Sequence, residues 1–237
     1  MAIYKTHELF TASNFPKWIV KTETAYGSPS WEIINRADEW KPDLIVIGSH
    51  GRSAIGRFAL GSVSQKVLTE ARCSVRIVKG SGASGNVPVR ILIGVDGSDA
   101  SKAAVSEVAS LRWHKGSSAN VLIVDEPIAP NMVGVFVPSV ASFVDEMNSV
   151  QEETSAKVVK EAIEQLRAAG LEADGGILLG NPKRELVWQA KEWDADCIFV
   201  GSVGFNNILE RFLLGSVSAA VAARAHCCVE VVRVEKK

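Results

Sequence analysis

The chain has 237 residues, of which 47% are hydrophobic and 22% charged, and its formal net charge is −1. This composition is typical of a globular protein with enough apolar residues for a core, and the absence of a long basic run argues against nucleic acid as a partner. No apolar stretch reaches the roughly 18 residues of a membrane span, and the N-terminus lacks the basic and apolar regions of a secretory signal. We therefore expect a cytoplasmic protein with no membrane partner.

Residues 1–79 are predicted to form a first domain in which strands and helices alternate. The segment KWIVKTETAYG (17–27) has the pattern of a strand, and a helix follows at Pro29, where the missing amide hydrogen of proline costs nothing. The continuous apolar run DLIVIGS is typical of a strand buried on both faces of a parallel sheet. It leads into the glycine-rich string GSHGRSAIGRFALGS (48–62), a helix that opens at GSVS, and a short strand, VRIVK.

A stretch rich in Gly and Ser, GSGASGNVP (80–88), is the predicted linker to a second domain, residues 89–237. This domain begins with RILIGVDGSDAS, which predicts a strand, a turn and a helix. A second strand is expected at residues 119–127, followed by a long amphipathic helix at 146–169 and a third strand, LEADGGILLG. The apolar run DCIFVGS and the segment VEVVRV complete a set of five strands.

The two domains are copies of one unit. Residues 26–51 align without a gap to residues 179–204, and RFALGSVSQKVLTEARCSVRIVK matches RFLLGSVSAAVAARAHCCVEVVR after one inserted residue. Such similarity at a fixed offset indicates a duplication. The first copy has no counterpart of the strands ILIGVDGS and VLIVDEP, so we expect it to be the less stable half. An upstream start of the natural chain would also explain the short first copy.

Alternating strands and helices predict an α/β fold with a parallel sheet and right-handed crossovers. Ligands of such sheets bind beyond the carboxyl ends of the strands, where the strand order reverses. Asp96 ends the first strand of the second copy and Gly201 ends the fourth, so we expect them to be neighbours across that crevice. Glycines let the backbone approach a phosphate, and a helix that opens at Ser216 offers free amides to an anion.

At these residues the sequence resembles the universal stress protein family, through ILIGVDGSDAS, VLIVDEP and VGSVG…LLGSVS in the second copy and VIGSHGRSAIGRFALGSVS in the first. The resemblance implies tandem domains of the adenine nucleotide alpha hydrolase-like type, with a five-stranded parallel sheet of order 3-2-1-4-5 in the complete copy. It also implies self-association through the last strands, a pairing that a tandem chain can make internally.

The resemblance further implies ATP or a related adenine nucleotide as ligand, with Mg²⁺ as a candidate companion, in a regulatory rather than catalytic role. Its ATP-binding members carry Gly-x2-Gly-x9-Gly-Ser/Thr. The first copy has this spacing at Gly48, Gly51, Gly61 and Ser62, but it lacks the rest of the site. The second copy has ten residues between Gly204 and Gly215. The implied site residues there are Gly94, Val95, Asp96, Val124, Gly201, Gly204, Gly215, Ser216, Val217 and Ser218.

Each of these features has a structural alternative. Asp96 can serve only as a turn or cap residue, and Ser62 and Ser216 as helix N-caps. Arg57 and Arg211 can contact phosphate or remain solvated. The remaining singled-out residues favour structural interpretations: His50 is not expected to be catalytic, Trp40 and Trp193 are expected in the core, and Cys227 and Cys228 as reduced thiols. We see no general base, no phosphoryl-transfer lysine and no metal-ligand spacing. The alternative function is a protein-interaction or dimerisation module that has lost nucleotide binding.

Overall fold

The computed structural model describes residues 19–50, 60–79, 87–126, 138–203 and 214–234. The first half contributes helix α1 (Pro29–Trp40), strand β1 (Leu44–Gly48), helix α2 (Ser62–Glu70) and strand β2 (Ser74–Val78). The second half contributes β3 (Arg90–Val95), α3 (Asp99–Ser110), β4 (Ser118–Asp125), α4 (Pro138–Ala168), β5 (Glu172–Leu179), α5 (Pro182–Glu192), β6 (Cys197–Gly201), α6 (Ser216–Arg224) and β7 (Cys228–Val232).

All seven strands form one sheet of order β1-β2-β7-β6-β3-β4-β5, in which only the β2–β7 pair is antiparallel. The resemblance implied a five-stranded parallel sheet for the second copy. The observed sheet is seven-stranded and mixed, because the last strands of the two halves join. Strands β3 to β7 lie within it in the predicted relative order 3-2-1-4-5.

Two hydrophobic layers cover the sheet unequally. On one face, helices α1, α2, α5 and α6 pack over both halves in a continuous core. On the other face, the core contains α3 and α4 together with β3, β4, β6 and β7, and none of its residues comes from the first half. Val46 of β1 is therefore 59% exposed, whereas Phe199, its counterpart in the duplication, is fully buried. Phe199 lies edge-on to Trp113, with ring centroids 6.1 Å apart.

The strand predicted within residues 17–27 is not formed. Residues 19–27 have no strand hydrogen bonding, and Ile19 and Tyr26 are 89% and 98% exposed. In the second half the matching strand, β5, pairs with β4. The first half has no such neighbour among its described residues, so an extended segment there has no strand with which to form hydrogen bonds.

The two tryptophans that were expected in the core, Trp40 and Trp193, differ in burial because their halves of the sheet have different neighbouring strands. Trp193 is partly buried and packs at the edge of the core, beside a cavity bordered by Asn120 and Asp174 of β4 and β5. Trp40 is 76% exposed, so the prediction of core packing is wrong for this residue. The described part of the first half contains no strands corresponding to β4 and β5 against which Trp40 could pack.

The β2–β7 junction also exchanges helix caps between the halves. Lys79 donates to the carbonyl oxygens of Ala223 and Ala225 at the end of α6, at 3.2 and 2.7 Å. Arg233, which aligns with Lys79, donates to Leu68 O at the end of α2, at 2.7 Å. Basic groups favour the carbonyl-rich end of a helix, so each half stabilises a helix of the other. Burial lowers the pKa of both basic groups.

Two adjacent glycines of β5 differ in how much space surrounds them. A Cβ at Gly175 would lie 2.1 Å from Val121 O on β4, whereas a Cβ at Gly176 would meet nothing within 4 Å. We expect Gly175→Ala to destabilise the fold by about 1–2 kcal/mol, because an edge strand can shift to relieve part of the overlap. Gly176→Ala should change stability by less than about 0.5 kcal/mol. Urea unfolding of both variants checks this, and similar midpoints would contradict it.

Candidate functional site

The strand order reverses between β3 and β6. The chain passes from β3 to β4 on one side, and β6 pairs with the other side of β3, with Gly94 opposite Val200. The segments that follow both strands meet, since Ser98 Oγ lies 3.4 Å from Val203 O. This brings Asp96 and Gly201 to one crevice at the carboxyl ends of the strands, as the sequence predicts. Crevices at such reversals are where open α/β sheets bind ligands.

Asp96 has an exposed side chain that also stabilises the turn after β3. Its Oδ1 accepts hydrogen bonds from Ser98 N at 3.0 Å and Ser98 Oγ at 2.5 Å. Ser98 in turn is the N-cap of α3, with its hydroxyl accepting from Ser101 N at 3.2 Å. The interpretation of Asp96 as a turn residue next to a helix cap is therefore correct. The exposure of the carboxylate leaves it accessible to a ligand as well.

Helix α6 begins without a side-chain cap. Gly215 is the N-cap, in extended conformation, and Ser216 occupies the first helical position, so the predicted N-cap role of Ser216 is wrong by one residue. The first helical hydrogen bond runs from Ala219 N to Gly215 O. The amides before Ala219 thus need acceptors from outside the helix, and the helix dipole favours an anion there.

Ser218 is placed differently from the sequence expectation. It is 2% exposed, and its hydroxyl donates to Ser202 O at 3.0 Å and lies 2.9 Å from Gly215 O. The hydroxyl therefore holds the start of α6 against the end of β6. Ser216 is exposed and Val217 is half-buried, so these two residues present the first turn of α6.

Packing within the protein leaves little room for a Cβ at three of the predicted site glycines, Gly94, Gly201 and Gly215. A Cβ at Gly94 would lie 3.0 Å from Leu186 of α5, and one at Gly201 would lie 2.6 Å from the backbone of Ala100 in α3. A Cβ at Gly215 would lie 3.0 Å from Ser202 O, to which Gly215 N donates at 2.6 Å. Each missing Cβ thus has a structural reason that involves no ligand.

The remaining predicted residues are placed as follows. Val95 is 7% exposed and belongs to the core beneath α3, while Val124 is partly buried near the end of β4. Gly204 and Arg211 lie outside the described residues, as do Gly51 and Arg57 of the first copy.

The first copy repeats the loop contacts without the crevice. Gly61 N donates to Ser49 O at 2.8 Å, as Gly215 N does to Ser202 O, and Ser64 donates to Gly48 O at 2.8 Å. Ser62 is again the first residue of its helix after a glycine N-cap. Among the described residues no strand takes the place beside β1 that β3 takes beside β6, so these contacts can form without a ligand site.

Within the described residues, the cysteines and the metal-ligating side chains form no reactive or metal-binding site. All four cysteines are free, and burial raises the pKa of Cys227 to about 12, so this thiol stays protonated at neutral pH. The His50 ring is hydrogen-bonded to the residue before it, with Nδ1 3.1 Å from Ser49 Oγ. Within the described residues no cluster of three metal-ligating side chains occurs, and no helix is long and apolar enough to cross a bilayer.

Sequence reasoning missed two serines that build the crevice. Ser98 links Asp96, the start of α3 and Val203, and Ser202 supplies the carbonyl that anchors α6. Ser98 lies three residues before Ser101 at a helix start, which is the N-cap signature. Ser202 recurs as Ser49 in the repeat, which was the signal for its structural role.

These features define a doubly wound α/β protein with a crevice at the strand reversal. The model of the universal stress protein family matches the chain twice, over residues 4–79 and 89–233. The chain belongs to the universal stress protein family.

Relatives of the chain include single and tandem forms. It is 29% identical over 220 residues to universal stress protein Rv2005c of Mycobacterium tuberculosis, covering 92% of this chain and 70% of that protein. It is 30% identical to universal stress protein YxiE of Bacillus subtilis, covering 61% of this chain and 98% of the relative. The solved structure of a universal stress protein from Archaeoglobus fulgidus has a TM-score of 0.58 at 22% identity, covering 97% of this chain and 78% of that one, and shows the same fold.

Proposed function

We propose that the protein is a cytoplasmic stress-response regulator whose second domain, residues 89–237, binds ATP or a related adenine nucleotide. In this proposal residues 1–79 form a reduced first domain, joined by the linker 80–88. The observation that carries the proposal is the crevice between β3 and β6, where the exposed carboxylate of Asp96 and the uncapped amides of α6 lie at the two sides of one strand reversal.

The two sides of the crevice suit the two ends of a nucleotide. A carboxylate accepts hydrogen bonds from ribose hydroxyls or an adenine amine, and helix N-terminal amides favour phosphate. The implied contacts are Asp96 and the backbone of Val124 for base and ribose. The phosphates would lie against the first turn of α6 and the loop that contains Gly204. Tight packing around Gly201 and Ser218 keeps the two sides at a fixed separation.

A Mg²⁺ ion fits this site only as a companion of the phosphates. Magnesium prefers six oxygen ligands, usually one or two carboxylates with phosphate and water oxygens. Asp96 follows β3 and Asp125 ends the neighbouring β4, and within the described residues no cluster of three metal-ligating side chains occurs. We therefore propose binding of the nucleotide, with or without Mg²⁺, and no catalytic role.

Ser216→Glu is expected to weaken ATP binding by roughly tenfold or more, because its carboxylate would oppose the phosphates at the first turn of α6. Ser62→Glu is the matched control, since Ser62 has the same position in α2 and is likewise exposed. An acidic residue in the first turn stabilises a helix, so both variants should fold. Isothermal titration calorimetry with ATP measures both affinities.

Two results would count against the nucleotide site. One is wild-type protein that binds no adenine nucleotide, and the other is an equal loss of affinity in the Ser216→Glu and Ser62→Glu variants. The first result would leave the interaction module as the better function. A nucleotide released on denaturing the purified protein, and identified by chromatography, would contradict the module interpretation.

A further inference from the structure

The outer edge of β1 is a strand edge with which none of the described residues pairs. All five residues of β1 pair with β2 on one side, and β1 ends the sheet. In the second half β6 takes the place of β1, and β3 pairs along its other side from Cys197 to Val200. The first half has no counterpart of β3 among the described residues. The backbone groups along this edge of β1 are therefore available to another strand.

The β1 edge is also apolar. Leu44–Gly48 contains no charged residue, and Val46, at its centre, is 59% exposed on the face where the core includes no described residue of this half. Natural edge strands are commonly guarded by charged side chains, prolines or bulges. Within Leu44–Gly48 none of these guards is present, so the edge can accept a partner strand.

The other strand edges that the structure describes are either paired with another strand or carry charged side chains. The last strands, β2 and β7, are paired with each other inside the chain. The opposite edge of the sheet, β5, carries the exposed carboxylates of Glu172 and Asp174. Two copies meeting at β5 would bring like charges together. Among the strand edges that the structure describes, β1 is thus the one suited to pairing between molecules.

We propose that β1 is a self-association surface, where β1 of two copies pair antiparallel about a two-fold axis at Val46. In this register Leu44 lies opposite Gly48 of the second copy, and Ile45 lies opposite Ile47, so apolar residues face one another and no charges oppose. The chain already joins corresponding strands in this way at β2–β7, where Val75 pairs with Val231. The interface is isologous and closes as a dimer, whereas pairing of β1 with β5 would continue into filaments.

The full-length wild type is expected to dimerise with increasing concentration, as measured by sedimentation equilibrium. Val46→Lys should raise the dimer dissociation constant by roughly tenfold or more, because it places two cations opposite each other at the axis. Since Val46 is exposed in the single chain, the thermal midpoint of the dilute protein should stay unchanged. Leu179→Lys is the control, because Leu179 is 72% exposed at the end of β5 and should leave dimerisation intact.

A cross-linking experiment tests the register. Directly opposed residues of antiparallel strands lie within disulfide distance, so Val46→Cys should form a dimer disulfide under mild oxidation. In the Leu44→Cys variant the cysteine lies opposite Gly48 of the second copy, so this variant should not form a disulfide between copies. The proposal is overturned by a chain that stays monomeric at all concentrations, by a dimer that survives Val46→Lys, or by equal cross-linking of both cysteine variants. A different protein found bound along β1 in place of the second copy would overturn it as well.

Discussion

Gly201→Ala is expected to destabilise the protein by about 2–3 kcal/mol, although glycine is usually a poor residue for a strand. The added Cβ would lie 2.6 Å from the carbonyl carbon of Ala100 and 2.7 Å from Ser101 N, both in the first turn of α3. These are backbone atoms, so relief requires α3 to move away from β6. The same movement would open the crevice in which we propose that a nucleotide binds, so affinity for the nucleotide should also fall. Guanidinium unfolding measures the loss of stability.

Gly48→Ala is the matched control, because Gly48 ends β1 as Gly201 ends β6. Its added Cβ would meet only His50 O, at an ordinary contact distance of 3.7 Å, and among the described residues no helix packs over Gly48 as α3 packs over Gly201. Neither glycine has a positive φ, so alanine is compatible with both backbones. We expect the stability of the Gly48→Ala variant to lie within about 0.5 kcal/mol of wild type. Equal losses for the two variants would mean that α3 packing is not what requires glycine at 201.

The sequence was sufficient to predict the elements that depend on local patterns. Continuous apolar runs predicted β1 and β6, and proline after a turn predicted the starts of α1 and α5 at Pro29 and Pro182. The duplication showed that VRIVK and VEVVRV correspond, the family resemblance implied that these last strands can pair inside the chain, and the structure shows that pairing. These features depend on residues close in sequence or on the repeat itself.

Features that depend on distant neighbours were not predictable in the same way. Residues 19–27 have the pattern of a strand, yet no described neighbour is present to pair with them. The glycine motif predicted phosphate contacts, but the absence of a Cβ at Gly201 and Gly215 is explained by the backbone of Ala100 and by Ser202 O. A glycine pattern shows that a Cβ is excluded and leaves open which atoms exclude it. The nucleotide role of these residues therefore stays a prediction.

The ion pair between Arg76 and Glu230 at the β2–β7 junction was also not predictable from the sequence. Arg76 and Glu230 occupy the same position in the two copies, and the antiparallel register places them directly opposite each other. Glu230 is 1% exposed, and its Oε2 accepts from Arg76 Nε at 2.5 Å. The Arg76 guanidinium also lies 5.6 Å from the centre of the Phe199 ring. Opposite charges at this position favour pairing of the two halves over pairing of like strands.

Arg76→Met is expected to cost about 3–5 kcal/mol, because it leaves the Glu230 carboxylate buried and unpaired. Glu230→Met should cost less, since the side chain of Arg76 is 31% exposed and can reach water. The double variant Arg76→Met/Glu230→Met should resemble Glu230→Met, because replacing a buried ion pair by apolar groups is often neutral. Arg72→Met is the control, since the Arg72–Asp38 pair is exposed and worth about 0–1 kcal/mol.

The pH dependence of the Arg76→Met loss tests its cause. Burial raises the pKa of Glu230, and Arg76 lowers it by a smaller amount, so removing Arg76 raises the pKa further. A raised folded-state pKa adds stability below the unfolded pKa, and this stability is lost as the pH rises through the folded value. The difference between wild type and the Arg76→Met variant should therefore be large at neutral pH and shrink toward acidic pH. A pH-independent difference would indicate that lost packing against Phe199, rather than the stranded carboxylate, destabilises the variant.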